Sequence, residues 1–443
     1  MNGNRGGLGN IFSAATKIEQ NERKAALLSF AFVFVLMTSY FILRPVRNAM
    51  ASDWTDAELS QLWTATFVFS LIAVSIYGGI IPRVKFRWLV PGVYVFFALT
   101  FLAFFVGATA GERPRYINEA FYVWVSVFSL FHVSVFWSFM SDIYSRDQAP
   151  RLFAFIAAGS SIGAIAGPAI TALFADTLGT YNLMLLSALL LLIPIPLIGI
   201  LNRLKVTELG NAEVQADLSK QVEIGKNPFA GFSLFFTNST LFGIGLFIFL
   251  YVSMGTFVYF GLKNLMDTYD ESTREQIWAL IDLTVNSLAV LTALFVTSRL
   301  TTRFGMSRTL ALVPSILVIG FLVIAIAPVL AVVAGLEIVR RAGNYAITRP
   351  GREMLFTIVN REMRFKAKPV IDIVVYRGGD MIWAWLFTFL TTVIGLGMVG
   401  VALVGAGIAL AWTFVGAALG RTYDRSRVGR EEQERMLTDV QEI

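Results

Sequence analysis

The stretch from residue 337 to residue 353 places six charged side chains inside an otherwise apolar tract. Charges within a membrane are costly, so they usually pair with one another, face a cavity or handle a substrate. Arginine makes strong charge-assisted hydrogen bonds to phosphate and carboxylate groups. Four arginines against two glutamates therefore predict a binding site for an anion. The six residues are Glu337, Arg340, Arg341, Arg349, Arg352 and Glu353.

The spacing of these residues fits a helix that is loosened in its middle. Glu337, Arg341 and Tyr345 follow one another at intervals of four and share one helical face. Pro350 and Gly351 should break or loosen that helix. The freed backbone groups are tolerated only where protein or a water-filled cavity satisfies them. The alternative is that the arginines only form structural ion pairs with nearby carboxylates.

A second group of charges lies in the following apolar tract. Asp372, Tyr376 and Asp380 share a helical face, and Arg377 stands three residues before Asp380. A buried carboxylate is harder to ionise and is able to carry a proton. Asp282, Asp372 and Asp380 are therefore candidate proton carriers. The alternative, which we favour, is that each forms a salt bridge with a neighbouring arginine.

Two further arginines, Arg44 and Arg47, stand near the end of the first apolar run. Together with the two later groups they complete a set of candidate anion contacts. We predict that Arg47 and Arg352 make the main contacts and that carboxylates position them. The complete set is Arg44, Arg47, Arg341, Tyr345, Arg352 and Arg377, with Glu353 and Asp380 as positioning residues.

The composition is that of a membrane protein. Hydrophobic residues make up 56% of the chain and charged residues only 15%, whereas soluble domains carry about 25% charged residues. A spanning helix needs about 20 apolar residues, and the chain offers twelve such segments, counting the charged one near 334–358. The last tract, 381–420, has forty uncharged residues and is read as two helices. We predict an all-α membrane protein with twelve transmembrane helices in two pseudo-repeated six-helix bundles.

Basic residues are distributed unevenly between alternate loops. Loops on one side and the two termini hold 25 of the 36 Lys and Arg residues, opposite loops hold four, and seven lie in or beside spans. Since cytoplasmic loops retain Lys and Arg, both termini should be cytoplasmic in a multi-pass protein of the bacterial inner membrane. The net charge of +6 then reflects orientation in the lipid bilayer, not nucleic-acid binding. The four on the opposite side are Arg113, Arg115, Lys263 and Arg274.

A polar stretch near the middle of the chain separates two halves of similar pattern. Repeated bundles around a central site are typical of transporters, because rocking one half against the other exposes the site alternately. We predict five segments: a cytoplasmic N-terminal tail at 1–23, a six-helix bundle at 24–202, a cytoplasmic linker at 203–233, a six-helix bundle at 234–420 and a cytoplasmic C-terminal tail at 421–443.

The sequence contains no pattern of residues for catalysis or metal binding. There is no cysteine, and His132 is the only histidine. One histidine without partners at ligand spacing builds no metal site, so we interpret His132 as a packed residue. No phosphate-binding glycine loop or catalytic constellation is present. We predict a protein that is not an enzyme, needs no cofactor and does not drive transport by its own ATP hydrolysis.

Two motifs are similar to those of the major facilitator superfamily. Residues 78–87 (GGIIPRVKFR) resemble the basic loop after the second helix of that superfamily, and 303–308 (RFGMSR) resemble its second copy. Gly159, Gly163 and Gly167 repeat at intervals of four ahead of a proline, as in exchangers of the superfamily. The same spacing also serves close helix packing alone.

A more detailed resemblance points to the nucleotide (ATP/ADP) transporter family. Residues 344–354 (NYAITRPGREM) are similar to the family segment KYALFDPTKEM. Residues 365–372 (FKAKPVID) resemble KVKGKAAID, and 42–47 (ILRPVR) resemble ILRDTKD. The resemblance implies exchange of nucleotides across a membrane, with Arg47 and Arg352 on the basic positions of the family segments.

The departures from that family make the expected site more cationic. Arg349 stands where the family has Asp, and Pro45 also replaces an Asp. We therefore predict alternating-access transport of an anionic, phosphorylated solute, with ATP/ADP antiport as its specific form. One alternative is a proton-coupled transporter of a non-nucleotide solute, and another is a non-transporting membrane scaffold. The oligomeric state is left open and is compatible with a monomer.

Overall fold

A computed structural model describes residues 18–80, 84, 86–110, 115–145, 147–211, 230–295, 297–359, 367 and 370–441. Most of the predicted N-terminal tail and of the 203–233 linker lies outside the described residues, as do Arg83, Arg113 and nearly all of the 365–369 segment. The side chains of Arg303 and of residues from 427 onward also lie outside the described part. What the sequence predicts for those residues stays a prediction.

Within the described residues, the first part of the chain forms seven α-helices. They follow apolar runs in the sequence, because a backbone in lipid must satisfy its own hydrogen bonds. The helices are α1 Arg23–Met50, α2 Asp56–Ile80, α3 Phe86–Thr109, α4 Arg115–Ile143, α5 Ala149–Leu178, α6 Thr180–Leu190 and α7 Pro194–Thr207.

The described residues of the second part form eight α-helices and three π-helical turns. The α-helices are α8 Ala230–Thr237, α9 Ser239–Leu265, α10 Glu271–Phe295, α11 Thr297–Ile326, α12 Leu330–Gly343, α13 Arg349–Leu355, α14 Tyr376–Thr388 and α15 Met398–Gln441. The π-helical turns are Asn344–Thr348, Val370–Val375 and Phe389–Val393.

The described part of the chain consists of helices and short connections, with no strand in it. Ten of its helical segments are long and apolar enough to cross a membrane. Two more predicted spans, near 276–298 and 334–358, coincide with α10 and with the segment from α12 to α13. The prediction of an all-α membrane protein is confirmed.

The described residues divide into two compact units. Unit 1 lies within Met1–Ala51, Val68–Glu223 and Tyr269–Leu283, and unit 2 lies within Ser52–Phe67, Ile224–Thr268 and Thr284–Ile443. The first part of α2 therefore belongs to unit 2, while the first part of α10 belongs to unit 1.

The three repeated glycines of α5 allow α1 to pack closely within unit 1. A Cβ atom built on Gly159 would lie 2.6 Å from the carbonyl oxygen of Phe30, and one on Gly167 would lie 2.7 Å from that of Thr38. A Cβ on Gly163 would overlap the Phe34 carbonyl oxygen. The spacing thus has a packing role, as expected of small residues in helix interfaces.

In unit 2 a glycine corner and an aspartate fix the start of the apolar part of α11. Gly305 has φ 75°, a conformation that side chains disfavour. The Asp424 carboxylate of α15 accepts hydrogen bonds from the backbone N–H groups of Met306 (3.1 Å) and Ser307 (3.2 Å). The carboxylate caps the exposed N–H groups after the corner, as anions do at helix starts. The second copy of the basic loop motif therefore includes a structural turn.

Candidate functional site

The charged span of unit 2 contains a π-helical turn immediately before its proline. Asn344–Thr348 forms this turn between α12 and α13, and Pro350 lies in the first turn of α13. A proline inside a helix removes one backbone hydrogen bond and crowds the carbonyl four residues earlier. This explains why the regular α-helical pattern of backbone hydrogen bonds changes here. The predicted loosening is thus a widened turn and not a break. Such turns are frequent at functional sites.

Glu337 accepts two hydrogen bonds from Arg340 at the centre of this span. The Arg340 Nε and Nη2 atoms lie 3.0 Å and 2.8 Å from the two Glu337 carboxylate oxygens. Arg340 also donates to the Tyr251 hydroxyl at 3.3 Å. The Nε of Arg341 lies 3.9 Å from the same glutamate. All three charged side chains are buried, so a structural ion cluster holds α12 against α9.

Arg352 is held by two carboxylates but keeps one buried donor for another partner. Its Nη2 lies 2.7 Å from Glu353 Oε1, and its Nη1 lies 3.7 Å from Asp372 Oδ1. The buried Nε of Arg352 and the buried hydroxyl of Thr348 have no hydrogen-bond partner in the protein. The two residues are one helical turn apart and so share a face. Buried polar groups normally have partners, so this pair points to a polar ligand.

Arg377 and Asp380 form an ion pair one turn apart on α14, with 3.4 Å between Nη1 and Oδ2. Gly379 lies between them, and a Cβ there would come within 3.2 Å of the Phe249 ring. Gly379 therefore allows α9 to approach α14. Tyr345 is half-buried within the π-helical turn, whereas Arg349 is exposed.

Unit 1 places its two candidate arginines in different surroundings. Arg44 Nη1 lies 3.4 Å from Oδ1 of Asp282, whose side chain is fully buried. Arg47 donates to Ser126 Oγ at 2.9 Å and to Asn48 Oδ1 at 2.8 Å, and its guanidinium lies 4.8 Å from the centre of the Tyr122 ring. These contacts orient the Arg47 guanidinium.

The three candidate proton carriers each contact an arginine. Asp282 pairs with Arg44, Asp372 with Arg352 and Asp380 with Arg377. An adjacent positive charge favours the ionised carboxylate. The pairing is therefore the one expected of salt bridges.

His132 is buried in unit 1 and stacks on Tyr40 with 4.3 Å between ring centres. Its Nδ1 lies 3.3 Å from the Phe128 carbonyl oxygen. No group of three or more potential metal-binding side chains is found among the residues that the structure describes.

The family of the chain follows from a comparison of its sequence with family models. The model of the Major Facilitator Superfamily matches residues 29–347, which is most of the chain. The chain belongs to the Major Facilitator Superfamily. The predicted resemblance to the major facilitator superfamily is therefore confirmed for the chain as a whole, and the protein is a transporter and not an enzyme by family.

Solved transporters share this major-facilitator fold. The nucleoside transporter NupG aligns with a TM-score of 0.62 at 15% identity, over 90% of this chain and 99% of that one. A bacterial homolog of the human lysosomal transporter Spinster, inward-facing and unoccupied, aligns with a TM-score of 0.55 at 13% identity, over 92% and 97%. At such identities the likeness shows the fold alone. The sequence matches none of the curated proteins with which it was compared.

Two charged residues of this major-facilitator chain were not singled out from the sequence. Lys263 was assigned to a loop, but it lies in α9, is 2% exposed and pairs with Asp56 at 3.1 Å. Glu275 is fully buried near the start of α10. The apolar run of α9 ends directly before Lys263, so hydropathy does not separate a buried lysine from an exposed one. An acidic residue near a helix start is ordinary, which is why Glu275 carried no signal.

Proposed function

We propose that the protein is an alternating-access secondary transporter of an anionic, phosphorylated solute, with nucleotide exchange as its specific form. The observation that carries the proposal is the pair of buried donors at Arg352 Nε and Thr348 Oγ1 beside the π-helical turn. A phosphate oxygen accepts hydrogen bonds from both kinds of donor. Arginine is well suited to it, because the guanidinium stays charged and presents its donors in a planar fork.

The balance of charge around the proposed contacts supports an anion. Seven arginines lie in or beside the spans, and the ion pairs described above use five carboxylates. Glu337 is shared by Arg340 and Arg341. An excess of positive charge at membrane depth is costly unless a ligand or counter-charge offsets it. The other contacts that we propose are Arg44, Arg341, Tyr345 and Arg377, positioned by Glu353 and Asp380.

The resemblance to the nucleotide transporter family supports the choice of a nucleotide within this class. Arg352, Glu353 and Met354 stand at the end of the similar segment in α13. The superfamily match and the structural neighbours support a transporter of a small molecule without fixing the solute. A proton-coupled transporter of a non-nucleotide solute remains the second candidate, with Asp282, Asp372 or Asp380 as carriers, and their arginine pairs weigh against it.

A ligand panel tests the proposal on purified protein. We expect nucleotides or sugar phosphates, but not dicarboxylates, to raise the apparent melting temperature, because a ligand that binds only the native state stabilises it by mass action. Arg352→Gln should abolish the increase. Arg115→Gln is the matched control, since Arg115 is half-exposed at the start of α4. This variant should show the same increase in apparent melting temperature as the unsubstituted protein. Stabilisation by dicarboxylates alone, or equal stabilisation of the Arg352→Gln variant, would overturn the proposal.

A further inference from the structure

A buried carboxyl group lies at the start of α10, in the part of this helix that belongs to unit 1. The Glu275 side chain is fully buried, and neither of its carboxylate oxygens has a hydrogen bond of ordinary geometry. It precedes the predicted span 276–298, at the end of α10 that the charge distribution assigns to the outside. A buried carboxylate without a cation beside it is strongly disfavoured in its ionised form.

Two charged groups near Glu275 make its ionisation harder still. Asp176 at the end of α5 and Glu271 on α10 both carry negative charge near it and disfavour the ionised carboxylate, whereas the hydroxyl of Thr180 at the start of α6 favours it. The Nε of the adjacent Arg274 donates to the Tyr269 carbonyl oxygen at 2.7 Å. Burial, with Glu271 and Asp176 adding to it, raises the pKa of Glu275 to about 8.

The residue next to Glu275 connects α10 to α5. Gln276 donates to Asp176 Oδ2 at 2.8 Å, which joins α10 to the end of α5. Gly179 separates α5 from α6 with φ 73°, so the α5–α6 corner, residues 176–180, is a fixed turn. If α10 separates from this corner, Glu275 reaches water and its carboxyl group regains the ordinary pKa of an exposed glutamate. The position of α10 and the protonation of Glu275 are therefore linked.

We propose that Glu275 is a proton-binding site which holds the start of α10 against the α5–α6 corner when protonated and releases it when the proton leaves to water. The step is a single proton transfer between the carboxyl oxygen and solvent, with no other bond changed. The inference rests on the proposed function in one respect, namely that this separation is part of the transport cycle. The proton-dependent contact of α10 makes transport sensitive to pH on the side of the membrane that Glu275 faces.

The direction of the pH effect follows from the two states of the carboxyl. The buried state binds the proton more tightly than an exposed glutamate, so it is fully favoured at low pH. The stabilisation of the buried state by the proton is lost progressively as the pH rises from about 4.5, the ordinary pKa of glutamate, to about 8. Above about pH 8 the proton no longer stabilises the contact between α10 and the α5–α6 corner.

Distance measurements between α5 and α10 test the link. The chain has no cysteine, so spin labels attach only to introduced sites, and Leu173→Cys with Leu280→Cys places them on exposed positions of the two helices. In nanodiscs without substrate, we expect the ratio of short to long distances to fall about tenfold or more between about pH 5.5 and pH 8.5, because each pKa unit corresponds to tenfold in proton occupancy.

Two variants make the result decisive. Glu275→Gln keeps the size of the side chain and cannot ionise, so its short distance should persist at every pH. Glu119→Gln removes a partly exposed carboxylate that pairs with Arg115, and it should titrate like the unsubstituted protein. An unchanged distance distribution across the pH range, or a Glu275→Gln variant that still responds, would overturn the proposal.

Infrared difference spectroscopy supplies an independent readout of the proton itself. We expect a protonated-carboxyl band that disappears with rising pH and is absent from Glu275→Gln at all pH values. Presence of the whole band in the Glu275→Gln variant would contradict the assignment. Neither measurement contains a solute, so failure of the ligand panel above would leave this test untouched, and failure here would leave the anion site untouched.

Discussion

The ammonium group of Lys263 lies 3.1 Å from the carboxylate of Asp56 within unit 2. The same ammonium donates to the backbone carbonyl of Trp54 at 2.5 Å, and Asn264 and Thr391 donate to Asp56 at 3.1 Å and 2.9 Å. Both charged side chains are largely buried. The start of α2 is thereby tied to α9 and to the π-helical turn Phe389–Val393.

Removing one partner of this pair should be strongly destabilising. Lys263→Met leaves a buried carboxylate without its cation, which costs about 3–5 kcal/mol for a buried pair. We expect a clear fall in the apparent melting temperature in detergent, and partial recovery in the double variant Lys263→Met/Asp56→Asn. Lys24→Met is the control, because Lys24 is 73% exposed in its 2.7 Å pair with Glu208, and such surface pairs contribute at most about 1 kcal/mol. Equal effects of the two lysine changes would contradict the buried pairing.

The Arg44–Asp282 pair gives a test between an ion pair and a proton carrier. We expect Arg44→Gln and Asp282→Asn each to lower the apparent melting temperature. The double variant should lose less stability than the sum of the two single losses, because residues in contact couple by about 0.5–3 kcal/mol. Additive losses would argue against a direct pair. A pH dependence of transport that disappears in Asp282→Asn alone would support the proton-coupled alternative.

The close approach of α1 and α5 predicts opposite outcomes for two glycine substitutions. Gly163→Ala puts a methyl group against the Phe34 carbonyl and should cost about 1–3 kcal/mol through forced displacement. Gly199→Ala in α7 meets no atom within 4 Å and should be neutral or stabilising by up to about 1 kcal/mol, since alanine favours the helix. Thermal unfolding of both variants measures the difference. A Gly163→Ala variant as stable as Gly199→Ala would contradict the packing.

The Asp424 cap predicts a moderate loss of stability at the start of α11. Asp424→Asn keeps one acceptor oxygen but removes the charge that faces the N–H groups of Met306 and Ser307. Loss of a capping carboxylate costs about 0.5–2 kcal/mol. Hydrogen exchange of the α11 amides after Gly305 should accelerate in the variant, and unchanged exchange would show that the cap is not needed.

The class of fold could be predicted from the sequence because a membrane span is a local property. Twenty apolar residues in a row imply a helix whatever surrounds them, and the superfamily motifs are local as well. The pattern even located the loosened turn near Pro350 to within a few residues. The nucleotide form of the transport is supported by resemblance and stays a proposal.

The partners of the charges could not be predicted, because they depend on packing between distant segments. Arg44 and Asp282 meet in unit 1 although most of that unit lies between them in the sequence. The burial of Lys263 and Glu275 is likewise decided by neighbouring helices, and their own flanking residues give no sign of it. Helical spacing suggested only the pairs within one helix, such as Arg377 with Asp380.

Solute uptake by proteoliposomes tests the central claim, that Arg352 binds the anion, most directly. With the phosphorylated solute that stabilises the protein best, we expect uptake by the unsubstituted protein and by Arg115→Gln. With uptake normalised to the amount of folded protein, because Arg352 also pairs with Glu353 and Asp372, uptake should fall at least about tenfold in Arg352→Gln, since a charged hydrogen bond contributes about 1.5–3 kcal/mol. Equal uptake by Arg352→Gln and the unsubstituted protein would contradict the account.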